Sequence, residues 1–160
     1  MQRVLFVCLG NICRSPTAEA AFNALLAARG LTAGFHVDSA GTSANHVGEA
    51  AHPGTRAEAS RRGVAITHRA RQVTHADFDR FDRIVAMDRQ NHRDLARLAR
   101  TDAERAKVTL FRRYEPDADH DDVPDPWYTG EFARVYDICA RASAGLLAAI
   151  EAGPPNATAR

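Results

Sequence analysis

The segment that most constrains the fold is an apolar run followed almost at once by the start of a helix. Val4 to Cys8 is continuously apolar, which is typical of a strand buried on both faces. Residues 16–28 then carry apolar side chains at helical spacing, with Ser15 predicted as the N-cap and Pro16 as the first helical residue. Only six residues lie between this strand and the predicted cap, so the chain must turn tightly from a strand into a helix.

The rest of the chain continues this alternation. Further strands are predicted at residues 35–39, 83–87 and 107–111, and further helices at residues 54–62, 74–81, 91–100 and 131–151. An acidic loop that contains prolines is predicted over residues 112–128. The pattern predicts an α/β fold, a single-domain four-stranded parallel sheet flanked by helices on both faces. Ligands bind such sheets beyond the carboxyl ends of the strands, so the loop after the first strand is the predicted binding site.

Length and charge limit the classes of protein to which this chain can belong. Its 160 residues suit one domain, predicted over residues 1–152, and the Gly- and Pro-containing tail at 153–160 is predicted to be disordered. The 21 basic and 20 acidic side chains leave a formal charge of +1, which predicts no nucleic-acid partner. The apolar run near the start is too short to cross a membrane and lacks a cleavage site, which predicts neither a membrane span nor a signal peptide.

The cysteine count bears on location. Three cysteines are too few, and odd in number, for a disulfide framework. We therefore expect a cytoplasmic protein with reduced thiols, either a monomer or a weak dimer. Secretion into a host without a signal peptide stays open as an alternative.

The loop after the first strand has the composition of a phosphate-binding site with a nucleophile in it. Gly10 and Asn11 tolerate the positive φ that a curled loop needs, and backbone N–H groups of such a loop bind anions. Arg14 can grip two phosphate oxygens at once. Cys8 lies in the same field, which favours its thiolate form, and Ser15 can donate a hydrogen bond to the sulfur. The Gly-Lys-Ser/Thr signature of a nucleotide-binding P-loop is absent.

At these residues the chain resembles the low-molecular-weight protein tyrosine phosphatase family. Val4 to Pro16 is similar to the family's phosphate loop almost residue for residue, and Asp125-Pro126-Trp127-Tyr128 is similar to a second family motif. Shorter similarities lie at residues 38–42, 46–48, 68–72 and 81–88. The resemblance covers the chain up to about Ile150 and implies hydrolysis of phosphotyrosine.

The resemblance implies a role for each motif residue. Cys8 would attack phosphorus, Arg14 would bind the phosphoryl oxygens, and Asp125 would act first as general acid and then as general base. The substrate-binding set would be Leu9, Gly10, Asn11, Ile12, Cys13, Ser15, Asn45, Trp127 and Tyr128. Asn45 stands where the family commonly has an aromatic residue, so we expect one wall of the site to be more open and polar.

Three supporting roles also rest on the resemblance. Asn11, Ser39 and His68 would form a hydrogen-bond network that holds the loop open, and Asp88 would help to orient it. Cys13 would form a protective disulfide with Cys8 on oxidation. The remaining histidines lack metal-ligand spacing and are expected at the surface or in packing contacts, and Cys139 is expected in the core.

Four further aspartates precede Asp125 in the acidic loop, and their expected role is solvation of that loop. They are Asp117, Asp119, Asp121 and Asp122. The spacing faintly resembles a calcium loop, but Asp122 and Tyr128 stand where such a loop needs glycine and glutamate. No metal and no cofactor are therefore predicted.

Three alternatives remain beside the main interpretation. An arsenate reductase of this fold would need two further cysteines in residues 87–100, which has none. A phosphoarginine phosphatase is disfavoured by Ile12 and by the aromatic pair at 127–128. A phosphotyrosine-binding module would be expected to lack Cys8, Arg14 or Asp125, and all three are present. The expected partner is a phosphotyrosine-containing protein, with a bacterial tyrosine kinase or a host protein as candidates.

Overall fold

The sheet at the centre of the fold has four parallel strands, as predicted. In the computed structural model, which describes residues 1–153, the strands are β1 (Gln2–Cys8), β2 (Phe35–Gly41), β3 (Arg83–Ala86) and β4 (Val108–Leu110). Their order in the sheet is β2-β1-β3-β4, so β1 pairs on both edges. Side chains from Val4 to Val7 are fully buried as a result.

Helices cover both faces of this sheet. They are α1 (Arg14–Ala28), α2 (Pro53–Arg61), α3 (His75–Arg80), α4 (Arg89–Leu98), α5 (Asp102–Ala106), α6 (Pro126–Thr129) and α7 (Phe132–Ala152), with 3₁₀ turns at Thr32–Gly34 and Phe111–Tyr114. Because side chains alternate along a strand, Phe6 packs with Phe22 of α1 on one face, while Leu5 packs with Phe78 of α3 and Leu95 of α4 on the other. The carboxyl end of β1 is thereby held rigidly between two packed layers.

The start of α1 differs from the sequence prediction. The helix begins at Arg14, with Cys13 at the N-cap position and no side-chain cap. Ser15 was predicted as the cap, and that prediction is wrong: its hydroxyl lies within hydrogen-bond distance of Cys8 Sγ and of the Asn11 amide. The N-cap position of α1 therefore lacks a stabilising side-chain hydrogen bond, and the Ser15 hydroxyl contacts the loop instead.

The second half of the chain contains short elements that the sequence prediction missed. The helix α5 was not predicted, and the predicted loop over 112–128 contains most of one 3₁₀ turn and most of the single turn of α6. The last predicted helix is confirmed as α7, shifted by one residue at each end. The predicted disordered tail falls almost wholly on residues 154–160, which lie outside the described residues, so the proposed domain boundary stays a prediction.

Within residues 1–153, no helix combines the length and the apolar character needed to cross a membrane.

Candidate active site

The loop between β1 and α1 curls around the sulfur of Cys8. Asn11 adopts a left-handed backbone conformation, with φ of 57°, which asparagine tolerates better than most residues. The loop is fastened to the chain after β2, because Thr42 N–H donates to Cys8 O at 2.9 Å and Ser43 N–H donates to Leu9 O at 3.0 Å. A Cβ atom at Gly41 would lie 2.6 Å from Leu9 O, so only glycine permits this close approach.

Cys8 is 3% exposed, and two groups lie within hydrogen-bond distance of its sulfur. The Asn11 N–H donates to Sγ at 3.2 Å, and Ser15 Oγ lies 3.0 Å from it. Ser15 Oγ accepts a hydrogen bond from the Asn11 side-chain amide at 2.8 Å, so its own proton can be donated to the sulfur at 3.0 Å or to Ala40 O at 3.4 Å. Both groups are therefore placed to donate hydrogen bonds to the sulfur.

The predicted network of Asn11, Ser39 and His68 is brought together behind the loop. The Asn11 amide nitrogen donates to Ser39 Oγ at 3.0 Å as well as to Ser15, and its oxygen lies 2.8 Å from His68 Nε2. The backbone N–H of Arg71 donates to the same oxygen at 3.0 Å. The side chain that shapes the loop therefore uses both polar atoms, and the Arg71 contact was not predicted because a backbone donor leaves no trace in sequence.

Arg14 is buried beside the loop and is held along one edge. Its Nη1 donates to Asp88 Oδ2 at 2.6 Å and to Val123 O at 3.2 Å, and its Nη2 lies 3.7 Å from Asp125 Oδ2. Burial opposes the positive charge, but Cys8, Asp88 and Asp125 together raise the pKa of Arg14 above its ordinary value. The guanidinium is thus permanently charged and fixed in orientation.

Asp88 and Asp125 each occupy the N-cap position of a helix, which fixes the carboxylate in place. Asp88 is the N-cap of α4, and its second oxygen accepts the Asn91 N–H at 2.6 Å, so the carboxylate bridges that helix and Arg14. Asp125 is the N-cap of α6, with Pro126 as the first helical residue and a hydrogen bond from Trp127 N–H to Oδ1 at 3.1 Å. Its other oxygen remains on the side facing Arg14.

A cleft of about 220 Å³ lies over the loop, and most of the predicted site residues line it. Its lining consists of Cys8, Leu9, Gly10, Ile12, Cys13, Arg14, Ser43, Asn45, His46, Asp125, Trp127 and Tyr128. The predicted residues Asn11 and Ser15 are absent from this lining, because their side chains are buried behind the loop. These two residues can therefore contribute to ligand binding only by shaping the loop and through their backbone N–H groups.

The walls of the cleft are aromatic and imidazole rings. Trp127 is 54% exposed and lies 5.9 Å from the His46 ring and 5.5 Å from the His52 ring, while Tyr128 is 81% exposed. His46 was expected to be a surface or packing histidine, and its ring does pack beside Trp127. The sequence analysis did not place it in the site, although it lines the cleft above Gly10. Asn45 lies beside it and is exposed, as its polar character predicts.

All three cysteines are free thiols in the structure. Burial raises the pKa of Cys13 to about 12, so this residue is a neutral thiol next to the loop's anion site. The disulfide between Cys13 and Cys8 stays a prediction from the family resemblance. Cys139 is fully buried in the core, as predicted.

Comparison with known proteins gives one consistent family. The family model for low molecular weight phosphotyrosine protein phosphatase matches residues 3–155. A low molecular weight protein-tyrosine-phosphatase from Streptomyces coelicolor is 47% identical over 152 residues, which cover 92% of this chain and 93% of the relative. Protein-tyrosine-phosphatases are phosphoric monoester hydrolases.

The similar solved structures include a member of this family and also an arginine phosphatase. The crystal structure of YfkJ from Bacillus subtilis, named a low molecular weight protein-tyrosine-phosphatase, is 42% identical, with a TM-score of 0.91 and coverage of 95% of this chain and 96% of that one. The Drosophila arginine phosphatase is 30% identical, with a TM-score of 0.86 and coverage of 98% and 100%.

Proposed function

The chain belongs to the low molecular weight phosphotyrosine protein phosphatase family, and we propose that it hydrolyses phosphotyrosine in proteins through a phosphocysteine intermediate. The observation that carries this proposal is the convergence of Cys8, Arg14 and Asp125 on one cleft. A nucleophile, a fixed cation and a carboxyl group are what the hydrolysis of a phosphate monoester requires.

In the first step the thiolate of Cys8 attacks phosphorus. The new S–P bond forms as the bond between phosphorus and the phenolic oxygen breaks, and Asp125 gives its proton to that oxygen as tyrosine leaves. The reaction needs no movement of the sulfur, since Sγ already lies at the centre of the loop with its donors in place.

In the second step water releases the phosphate. Asp125, now a carboxylate, takes a proton from a water molecule whose oxygen attacks phosphorus. The S–P bond breaks, Cys8 leaves as a thiolate, and inorganic phosphate is released. The same donors at Sγ that favour the thiolate before the reaction also make it a good leaving group here.

Arg14 would bind two phosphoryl oxygens with its unused edge. Asp88 and Val123 engage Nη1, and within residues 1–153 no hydrogen bond uses Nε or Nη2. The fork formed by Nε and Nη2 can therefore make two parallel hydrogen bonds to the phosphoryl group while the other edge stays anchored. Backbone N–H groups of residues 9–14 would bind the other equatorial oxygens.

The depth and walls of the cleft favour an aryl phosphate. Cys8 lies at the bottom, and Trp127 and Tyr128 stand exposed at the rim. A phosphotyrosine ring can lie against these aromatic side chains while its phosphate reaches the sulfur. Phosphoserine has too short a side chain to span that depth, so we expect it to be a poor substrate.

The direct test is turnover of three matched peptides that carry phosphotyrosine, phosphoserine or phosphoarginine, in reducing buffer without added metal. We expect phosphotyrosine to be cleaved at least about tenfold faster, in kcat/KM, than the other two. A preference for phosphoarginine would overturn the substrate assignment in favour of the arginine phosphatase class. Binding of the phosphotyrosine peptide without turnover would indicate a binding module instead.

Replacing Asp125 with alanine should slow substrates with poor leaving groups far more than activated ones. We expect Asp125→Ala to lower kcat for phenyl phosphate by about 10²-fold or more, because the leaving phenolate then lacks a proton donor. The loss for para-nitrophenyl phosphate should be much smaller, since its leaving group is stable without protonation. Rates with both esters measure this difference directly.

Asp121→Ala is the matched control for this comparison. It removes a carboxylate from the same acidic loop, where Asp121 lies 3.7 Å from Arg113 and outside the cleft. We expect it to leave both rates within about threefold of the parent protein. Equal losses for the two esters in Asp125→Ala would contradict the acid role.

A further inference from the structure

Three side chains from separate segments meet on the side of the phosphate loop that faces away from the cleft. They are Glu19 of α1, Asp38 of β2 and His68 of the segment before α3. His68 Nδ1 lies 3.4 Å from an Asp38 oxygen and 3.7 Å from a Glu19 oxygen, and one ligand atom of each residue lies within 4.8 Å of the others. Sequence analysis predicted no metal, and it assigned His68 only to the hydrogen-bond network of the loop.

The hydrogen bonds around His68 determine which ring nitrogen donates to Asn11 and which one faces the two carboxylates. The Asn11 side-chain atom next to Nε2 also accepts the Arg71 N–H, so that atom is the amide oxygen. His68 Nε2 must therefore donate a proton to it. Nδ1 is then the atom directed at Glu19 and Asp38. A nitrogen lone pair facing two carboxylates is repulsive, and the repulsion is removed either by a proton on Nδ1 or by a metal cation between the three groups.

The side chains in and around this cluster carry a net negative charge that a divalent cation would balance. Arg71 donates through Nε to Asp38 at 3.0 Å and through both Nη atoms to the fully buried Asp77. One guanidinium thus stands against three carboxylates, those of Glu19, Asp38 and Asp77. Two positive charges are needed to balance the cluster, and a proton on His68 would supply one of them.

We propose that Glu19, Asp38 and His68 bind a Zn²⁺ ion on the far side of the phosphate loop. Tetrahedral zinc with bonds of about 2.0–2.2 Å places its ligand atoms about 3.3–3.5 Å apart, close to the two distances measured from Nδ1. One imidazole nitrogen and two carboxylate oxygens suit zinc, whereas Mg²⁺ and Ca²⁺ prefer oxygen ligands alone.

Each of the three ligands is already oriented by a neighbour, as ligands in metal sites are. Ser39 Oγ donates to Glu19 at 2.7 Å, Arg71 holds the other oxygen of Asp38, and Asn11 accepts from Nε2 of His68. Because Asn11 also contacts Ser15 and Cys8, a metal on Nδ1 would lock the hydrogen-bond chain that shapes the loop. The ion would stabilise the loop and take no part in the bond changes of hydrolysis.

The test is a calorimetric titration of Zn²⁺ into the Cys8→Ser variant, which removes the thiolate as a competing zinc ligand. We expect one ion to bind per chain, and a large excess of Mg²⁺ should not compete. Adding Glu19→Gln or Asp38→Asn should each weaken zinc affinity at least about tenfold, since each removes one charged ligand. The control is Glu49→Gln, which alters a separate histidine–carboxylate contact, that of His46 and Glu49, and should leave the affinity unchanged.

A second readout covers the case in which a variant fails to fold. Zinc should raise the melting temperature of Cys8→Ser and should not raise that of Cys8→Ser combined with Glu19→Gln. The Glu19→Gln change keeps the side-chain shape, so circular dichroism without metal should match that of the parent. No zinc binding, or equal binding in all variants, would overturn the site. Because no turnover is measured, that result would leave the proposed phosphatase function standing.

Discussion

Replacing Cys8 with serine is expected to lower phosphotyrosine turnover by at least about 10⁴-fold while phosphate still binds. The site around Sγ is built for an anion, with the Asn11 N–H and the Ser15 hydroxyl directed at it. A serine hydroxyl is far less acidic than a thiol and would stay protonated in the same place. Arg14 and the loop amides would be unchanged, so the binding of phosphate should survive.

Two measurements separate these effects: phosphate release from the phosphotyrosine peptide, and calorimetric binding of inorganic phosphate. Cys139→Ala is the matched control, because it removes a fully buried thiol of α7 that does not line the cleft. We expect it to reduce stability by about 1–2 kcal/mol and to leave kcat near that of the parent. Residual activity of Cys8→Ser above about one hundredth of the parent rate would contradict the nucleophile assignment.

The phosphate loop could be predicted from sequence because all of its parts are local. Cys8, Arg14 and the helix start lie within nine residues, and a buried strand and a helix fix where that segment points. Within this segment, the local rules failed where the site overrides them. A serine before proline is a typical N-cap, yet Ser15 lies inside α1 with its hydroxyl at the sulfur.

The choice of Asp125 among five loop aspartates depended on resemblance, and the structure gives a physical reason for the difference. Asp119 binds Arg112 at 2.6 Å, and Asp122 accepts the Arg89 N–H at 2.9 Å, so both hold the loop in place. Asp125 keeps one oxygen on the cleft side at the start of α6. Such pairings depend on the folded positions of distant arginines, which no local pattern contains.

The helix α5 was missed although a signal for it was present. Thr101 accepts the Glu104 N–H at 3.1 Å, which is the Thr-x-x-Glu pattern of a helix start. The five-residue helix has no buried residue, so the apolar periodicity that identified the longer helices could not identify it. Residues such as Glu19 and His46 were missed for a different reason, since only tertiary packing brings them to the loop.

Exchanging Arg14 for lysine is expected to lower kcat/KM for phosphotyrosine by about 10³-fold although the charge is kept. The proposed role gives the guanidinium two sets of partners at once: Nη1 is engaged by Asp88 and Val123, while Nε and Nη2 would bind the phosphoryl group. A lysine ammonium can pair with Asp88 or with phosphate, but it has no second edge. The loss should fall mainly on kcat, because the two hydrogen bonds are aimed at charge that develops on the equatorial oxygens.

Steady-state kinetics with Arg14→Lys, together with phosphate affinity and melting temperature, measure this effect apart from folding. Arg29→Lys is the matched control, since it makes the same exchange just past the other end of α1, where Arg29 contacts Glu151 at the surface. We expect it to leave kcat/KM unchanged. A loss below about tenfold in Arg14→Lys would mean that charge alone suffices, and the bidentate contact would then have to be abandoned. A thousandfold loss in a folded protein that still binds phosphate would locate the contribution of Arg14 in the transition state, where geometry counts for more than charge.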